Sequence, residues 1–423
     1  MDVKKFLKNV DFSLNKKELD FLKRESAKVI RTLEESLKKR KINAQVFLGG
    51  SFAKGTITRS EDYDIDIFIR FEKKHDNLSE LTEKSVKESA KVLGLEWDKL
   101  HGSRDYFRIK FDEKLMFEII PVRKISNVSG AENVTDLSYF HVNYVKNSLS
   151  EKAKKDVGLA KKFCKSLRVY GAESYINGFS GYGLECLIIY YGSFEKMIKS
   201  IAKIKEREVI DIKKYYKNKE QIFMELNESK IRGPIVLIDP TWKERNVLAA
   251  LDWESLRRFN EGVIKFMKNP SLDFFEIEDE KNIDINVISN KLNGEGAHLI
   301  LKTKKQIGDI AGTKLKKFSR FLDREISRFF EIKYNDFFYN GEDSADFYIV
   351  AKKKKEIIRN GPYVEDEKNA IRFRKSNKDT FSDDGRLYSR TKVDFSLRNY
   401  LSKIIKYEKE RMKEMGISEF YLK

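Results

Sequence analysis

The stretch from Phe47 to Arg70, FLGGSFAKGTITRSEDYDIDIFIR, constrains the fold more than any other part of the chain. An apolar run closes on Gly49-Gly50-Ser51, a polar segment follows, and an extended run then carries Asp64 and Asp66 among Tyr63, Ile65, Ile67 and Ile69. Side chains alternate between the two faces of a strand. The alternation predicts a strand with both aspartates on one face and the isoleucines on the other. Two carboxylates so close repel each other unless a cation neutralises them, and hard divalent ions take oxygen ligands of this kind. A lone Asp-x-Asp also fits an ordinary strand with one polar face. Gly-Gly-Ser just upstream tips the reading toward chemistry, because glycines let backbone N–H groups approach a phosphate closely.

A third acid adds to the case. Tyr106 to Phe111 and Leu115 to Val122 read as two strands joined by Asp112-Glu113-Lys114, a β-hairpin signal. Glu118 interrupts the second, otherwise apolar strand, where an unpaired charge is expensive. The bland account is an edge-strand charge facing water. With Asp64 and Asp66 in need of a partner, a three-carboxylate metal site is the expectation.

Composition sets outer limits. A chain of 423 residues has material for about two to four domains. With 40% hydrophobic and 36% charged residues it has a globular composition, not a disordered one. No apolar stretch approaches bilayer length, and the first residues, MDVKKFLKNVDFSLNKK, lack a signal-peptide core, so no membrane partner and a cytoplasmic location are expected. Cys164 and Cys186 are the only cysteines, which excludes a disulfide framework, and with four histidines nothing has zinc-site spacing. Both cysteines read as buried small apolar residues. The formal net charge of +18 favours a polyanionic partner, although a lysine-rich bias of the source proteome gives the same number.

Taken in order, Asn15 to about Arg40 reads as an amphipathic helix with Asn15 and Glu18 as its N-terminal cap. A second helix is expected from about Ser79 to Leu93. The segment NVTDLSYFHVNYVKNSLS breaks the strand pattern, and His141 within it reads most simply as a packed or surface histidine. Helical periodicity resumes near Glu151. Turn-forming clusters, Tyr170-Gly171-Ala172-Glu173 and Gly178-Phe179-Ser180-Gly181-Tyr182, then precede an apolar helix from Leu184 to Tyr191. A strand ends at Asp239-Pro240, and Arg245-Asn246 is expected to open a helix containing Val247, Leu248 and Leu251. Further on, Gly308 to Phe330 has helical spacing, Asp346 to Val350 reads as a strand before Lys352 to Lys355, and Asp384-Gly385 marks a hairpin turn. Ile371 to Lys375 interleaves basic and apolar or aromatic groups, as a solvated face or as phosphate contacts.

Gly-Ser followed by Asp-x-Asp on a strand, with a third acid on a later strand, resembles the nucleotidyltransferase superfamily that includes DNA polymerase beta. The ordered set Gly50-Ser51, the three acids, Ser138 to His141, the Lys161 helix, Tyr170-Gly171-Ala172-Glu173, Gly178 to Tyr182, and Asp239-Pro240 with Arg245-Asn246-Val247 is similar to the archaeal (class I) CCA-adding enzymes, the tRNA nucleotidyltransferases. The resemblance covers residues 40 to 270 and thins beyond. It implies an α+β multidomain chain: a polymerase-beta-like catalytic domain over 1–150, a mostly helical central domain similar to poly(A) polymerases over 151–270, and an α/β tRNA-binding body and tail over 271–423.

Residue by residue, the resemblance implies metal ligation by Asp64, Asp66 and Glu118, with two Mg²⁺ ions. It implies nucleotide contacts from Gly50, Ser51, Lys54, Ser138, His141, Lys161 and Tyr170, with Arg245 at the incoming base. The implied substrates are CTP, ATP and the 3′ end of tRNA, gripped at acceptor stem and elbow, with a homodimer left open. A poly(A)-polymerase-like enzyme and a non-catalytic RNA-binding protein are the alternatives. The family usually has Glu and Asp in the paired motif and Asp as third acid, where this chain has Asp64, Asp66 and Glu118. An arginine common after the Gly-Ser loop is Lys54 here, which keeps the charge and loses the bidentate fork.

Overall fold

The computed structural model describes residues 2–60, 62–72, 75–101, 104–277, 283–304 and 306–423. The chain divides into two compact units, residues 1–172 with 176–277 and residues 173–175 with 278–423. Both mix helices with sheets, so the class is α+β multidomain.

In the first unit a short helix α1 (Val3–Leu7) precedes α2 (Lys16–Lys39). Asn15 caps α2: its side chain accepts from Glu18 N at 2.9 Å, and the Glu18 carboxylate accepts from Asn15 N at 2.8 Å. The five-stranded sheet follows, built from β1 (Ala44–Leu48), β2 (Tyr63–Phe71), β3 (Glu96–Leu100), β4 (Tyr106–Lys110) and β5 (Leu115–Arg123). Helix α3 (Gly50–Lys54) lies between β1 and β2, and α4 (Leu78–Leu93) between β2 and β3. The strand order is β1-β2-β5-β4-β3, with β2 and β5 parallel and the other pairs antiparallel. Ile65, Ile67 and Ile69 of β2 and Phe117 and Ile119 of β5 are buried on one face, in one cluster with Leu22, Val29 and Leu33 of α2 and Val86 of α4. The acids occupy the alternate positions. β5 is a central strand, so Glu118 is not an edge-strand charge.

The rest of the unit is mostly helical: α5 (Ser138–Ser148), α6 (Glu151–Ser166), α7 (Gly181–Tyr191), α8 (Phe194–Ile201), α9 (Lys219–Glu225) and α10 (Trp253–Lys268), with a small sheet of β6 (Glu208–Asp211), β7 (Ile235–Asp239) and β8 (Trp242–Asn246). The segment that breaks the strand pattern after residue 132 is thus largely helix α5. Phe163 centres the core, its ring 5.5–5.8 Å from those of Phe194, Phe259, Phe266 and Phe275. Cys164 and Cys186 are buried and free.

One expected element is wrong. Arg245 and Asn246 do not open a helix: they end strand β8, and Val247 to Ala250 form turns before α10. The cause is the buried Asn246 side chain. Its Oδ1 accepts from Leu237 N and Leu248 N, both at 2.9 Å, and its Nδ2 donates to Lys230 O at 2.7 Å. Asparagine side chains that bond nearby backbone compete with a helix in this way.

The second unit contains α11 (Ile285–Leu292), β9 (Glu295–Thr303), α12 (Gly308–Phe329), β10 (Phe330–Tyr339), β11 (Ser344–Lys353), β12 (Glu356–Tyr363), α13 (Glu367–Ser376), β13 (Thr380–Asp383), β14 (Arg386–Lys392), α14 (Leu397–Tyr407), α15 (Lys409–Glu414) and β15 (Ile417–Leu422). Its four-stranded sheet, ordered β10-β11-β9-β15, packs on Leu315, Phe318 and Leu322 of α12. Asp346 to Val350 lies in β11, and Lys352 to Lys355 at and beyond its end are exposed. In the three-stranded sheet β12-β14-β13, Asp384 (φ 44°) and Gly385 (φ 71°) form the two-residue turn between β13 and β14, the left-handed pair that a tight hairpin requires. Ile371 to Lys375 lies on α13.

Candidate active site

Register builds the acidic face. Asp66 stands opposite Glu118 across the parallel pair β2 and β5, and Asp64 lies two residues back on the same side. Glu118 in turn stands opposite Arg108 of β4, and Arg108 opposite Asp98 of β3. Arg108 holds Asp98 with two bonds of 2.8 Å. Burial and the neighbouring acids push Asp66 up to about 6 and Glu118 up to about 7. Asp64 is also raised, by burial and then by Asp62.

The glycine loop sits directly against these acids. Gly49 N donates to Asp66 O at 2.8 Å. Gly50 has a φ of +55°, and a Cβ there would fall 1.6 Å from Asp66 Oδ2. Only glycine permits both the conformation and the approach. Ser51 follows on the first turn of α3, and Ser138 begins α5.

Lys54, at the end of α3, is buried and donates to Glu185 Oε2 of α7 at 2.6 Å. Lys161 of α6 donates to Thr56 O at 2.9 Å and lies 3.6 Å from Glu185 Oε1. Burial pulls Lys161 down to about 8. A Cβ on Gly181 would meet Tyr170 Oη at 2.9 Å and Lys161 Cε at 3.9 Å, so Tyr170 and Lys161 converge on the start of α7.

His141 is buried against Tyr182, ring centroids 4.0 Å apart, and Tyr182 lies 5.7 Å from Lys54 Nζ. His141 Nε2 is 3.1 Å from Asp239 Oδ2, and Arg245 NH1 donates to the same oxygen at 2.6 Å. The Tyr182 hydroxyl, Thr241 N and Thr241 Oγ1 donate to Asp239 Oδ1 at 2.8–3.1 Å. Although burial opposes it, His141 and Arg245 hold the Asp239 carboxyl far below its ordinary range. Burial lowers His141 itself.

Three groups escaped the sequence reading, Glu185, Arg108 and Lys165, and Asp239 entered it only within the Asp239-Pro240 motif, without a role of its own. Lys165 of α6 faces Asp64 electrostatically, and burial with the neighbouring Lys162 lowers it. Lys165 lies one helical turn beyond Lys161, a spacing that could have drawn notice; Glu185 and Arg108 carry no local signal.

The donor set suits a hard divalent cation. Three carboxylates, all raised by burial and then by neighbouring acids, share one face, and a cation removes the cost of ionising them together. As the side chains stand, no three His, Cys, Asp or Glu among the described residues gather into a group that could hold a metal. For the three to hold one ion together, their side chains would have to turn toward one another.

The family described as Nucleotidyltransferase domain matches residues 30–128, and that described as tRNA nucleotidyltransferase, second domain, matches residues 155–276. The sheet with its acidic face thus lies within the match to a nucleotidyltransferase domain, and the helical part that follows within the match to the second domain of tRNA nucleotidyltransferases. A CCA-adding enzyme of Nanoarchaeum equitans is 43% identical over 212 residues, 50% of this chain and 52% of that one. The chain thus spans about half the length of that relative. CCA-adding enzymes of Saccharolobus islandicus and Methanocaldococcus jannaschii are each 28% identical, over 86% and 83% of this chain and 83% and 78% of theirs. Over most of its length the chain is thus similar to archaeal CCA-adding enzymes.

Proposed function

We propose that the protein adds C, C and A to the 3′ end of tRNA from CTP and ATP, without a nucleic-acid template, releasing pyrophosphate. The observation that carries this reading is the register of Asp66 with Glu118, beside a glycine loop and two buried lysines, in a chain similar to archaeal CCA-adding enzymes. Asp64, Asp66 and Glu118 would hold two Mg²⁺ ions. Bound there, Mg²⁺ lowers the pKa of the RNA's terminal hydroxyl and neutralises charge on the triphosphate.

The chain's own residues bind and orient. Gly50 and Ser51 place backbone N–H groups against phosphate oxygens. Lys54, Lys161, Ser138, His141 and Tyr170 surround the triphosphate where charge develops as pyrophosphate departs. Arg245, fixed by Asp239, faces the incoming base. On this reading residues 1–150 are catalytic, 151–270 contact nucleotide and RNA, and 271–423 hold the acceptor stem and elbow of tRNA. Basic surfaces suit an RNA duplex, which is recognised by shape and phosphate contacts. No helix among the described residues is long and apolar enough to cross a membrane, and we place the enzyme in the cytoplasm.

The test is extension of a tRNA lacking its last three nucleotides, with the four triphosphates singly and together, with and without Mg²⁺. Addition of C, C and A followed by a stop is expected. A long A tail would make the enzyme a poly(A) polymerase, and no incorporation would leave an RNA-binding protein.

A further inference from the structure

Glu185 is fully buried on α7, yet it is surrounded by groups that the nucleotide reading assigns to phosphate. Its Oε2 takes Lys54 Nζ at 2.6 Å and its Oε1 takes Thr56 Oγ1 at 2.5 Å, with Lys161 Nζ 3.6 Å away. Lys161 Nζ also reaches Thr56 O at 2.9 Å and Thr56 Oγ1 at 3.3 Å. Lysines from α3 and α6 therefore meet on one carboxylate from α7. Such a cluster is a poor stabilising device, because desolvating three charges offsets what their attraction returns. It is a good device for placing charge. Two lysines and one glutamate leave a surplus of one positive charge, and lysine stems that would otherwise sample many rotamers are fixed before any ligand arrives.

We propose that Glu185 is a positioning residue for the triphosphate: through Lys54 and Lys161 it holds a preformed cationic seat for the phosphates without touching nucleotide or RNA itself. The proposal rests on the nucleotidyl-transfer reading above. Its rival is a plain staple that ties α3 to the helical core.

The two are separated in the full-length protein by measuring CTP and CMP binding without RNA, and KM and kcat for CTP and ATP on tRNA lacking its CCA end. For Glu185→Gln, KM for CTP and for ATP should rise together by about tenfold, or about 1.4 kcal/mol. The CTP-to-CMP affinity ratio should fall by a similar factor, with kcat changing less. Glu185→Asp keeps the charge and should restore part of the ratio. An unchanged ratio in Glu185→Gln, with only the melting temperature lowered, makes Glu185 a staple and overturns the proposal. If Glu185→Gln does not fold, the ratio is read on Glu185→Asp, where an unchanged value overturns it equally. Failure of the wild type to add C, C and A would instead sink the functional reading, and the binding comparison would still stand.

Discussion

Asp66 and Glu118 face each other across two parallel strands, so the sheet itself brings two acids to one level. Burial above all, then the charge of Asp64 on Asp66 and those of Asp66 and Asp64 on Glu118, raises both, to about 6 and about 7, against ordinary values of 3.8 and 4.5. Between those limits the native protein holds more protons than the unfolded chain, so its stability falls as pH rises. The contribution is fully present below about pH 4 and is lost as pH climbs through 6 and 7. Glu118→Gln should therefore melt a few degrees higher than the wild type at about pH 8 without metal, on a scale of about 2–4 °C per kcal/mol. The gap should close near about pH 5. The same variant should lose nucleotide transfer. Melting curves at the two pH values check the first point; a lower midpoint at the higher pH counts against it.

Gly50→Ala should damage the site beyond its cost in stability. Left-handed backbone costs a residue with a side chain about 1–2 kcal/mol, and the new methyl would collide with Asp66. Gly94 is the control, with a φ of +68° and nothing within 4 Å of an added Cβ. Gly94→Ala should show the backbone cost alone, with kcat close to wild type. Equal activity in the two variants would show that Asp66 does not depend on its glycine neighbour.

Arg245→Ala should disturb the choice between CTP and ATP by about tenfold, the worth of a charged hydrogen bond, while tRNA affinity changes less. Competition between the two triphosphates on tRNA ending in CC reads this directly. An unaltered preference removes Arg245 from base recognition.

Asn246→Ala should destabilise the protein by about 3 kcal/mol, because several buried backbone groups lose partners together. Asn246→Asp keeps the two acceptor oxygens but sets a buried carboxylate against Lys230 O, and should cost no less. Denaturant midpoints rank the three proteins, and a cost below about 1 kcal/mol for Asn246→Ala would refute the assignment.

How much the chain revealed depended on distance along it. The cap between Asn15 and Glu18, three residues apart, was legible, as were the alternation from Tyr63 to Ile69 and the turn at Asp384-Gly385. So was the burial of Cys164 and Cys186. The helix expected at Arg245 failed because the backbone there follows Asn246, whose partners are Leu237 on the neighbouring strand and Lys230 in the turn before that strand. Glu185 went unnoticed inside an apolar helix, since its partners come from elements far upstream. Arg108 could be placed only through the register of β4 with β5. Local periodicity finds elements; it does not find the partner of a buried charge.

The bond from Lys54 to Glu185 spans 131 positions of the chain. During synthesis the lysine emerges long before the carboxylate, and domains fold as they emerge. A buried ammonium without its counter-charge is too costly to keep. The apolar side of the sheet can therefore close early, on α2 and α4, while the glycine loop waits for α7 to be made. The proposed seat for nucleotide is thus completed only when α7 has been made, after the whole of the sheet that carries the acids.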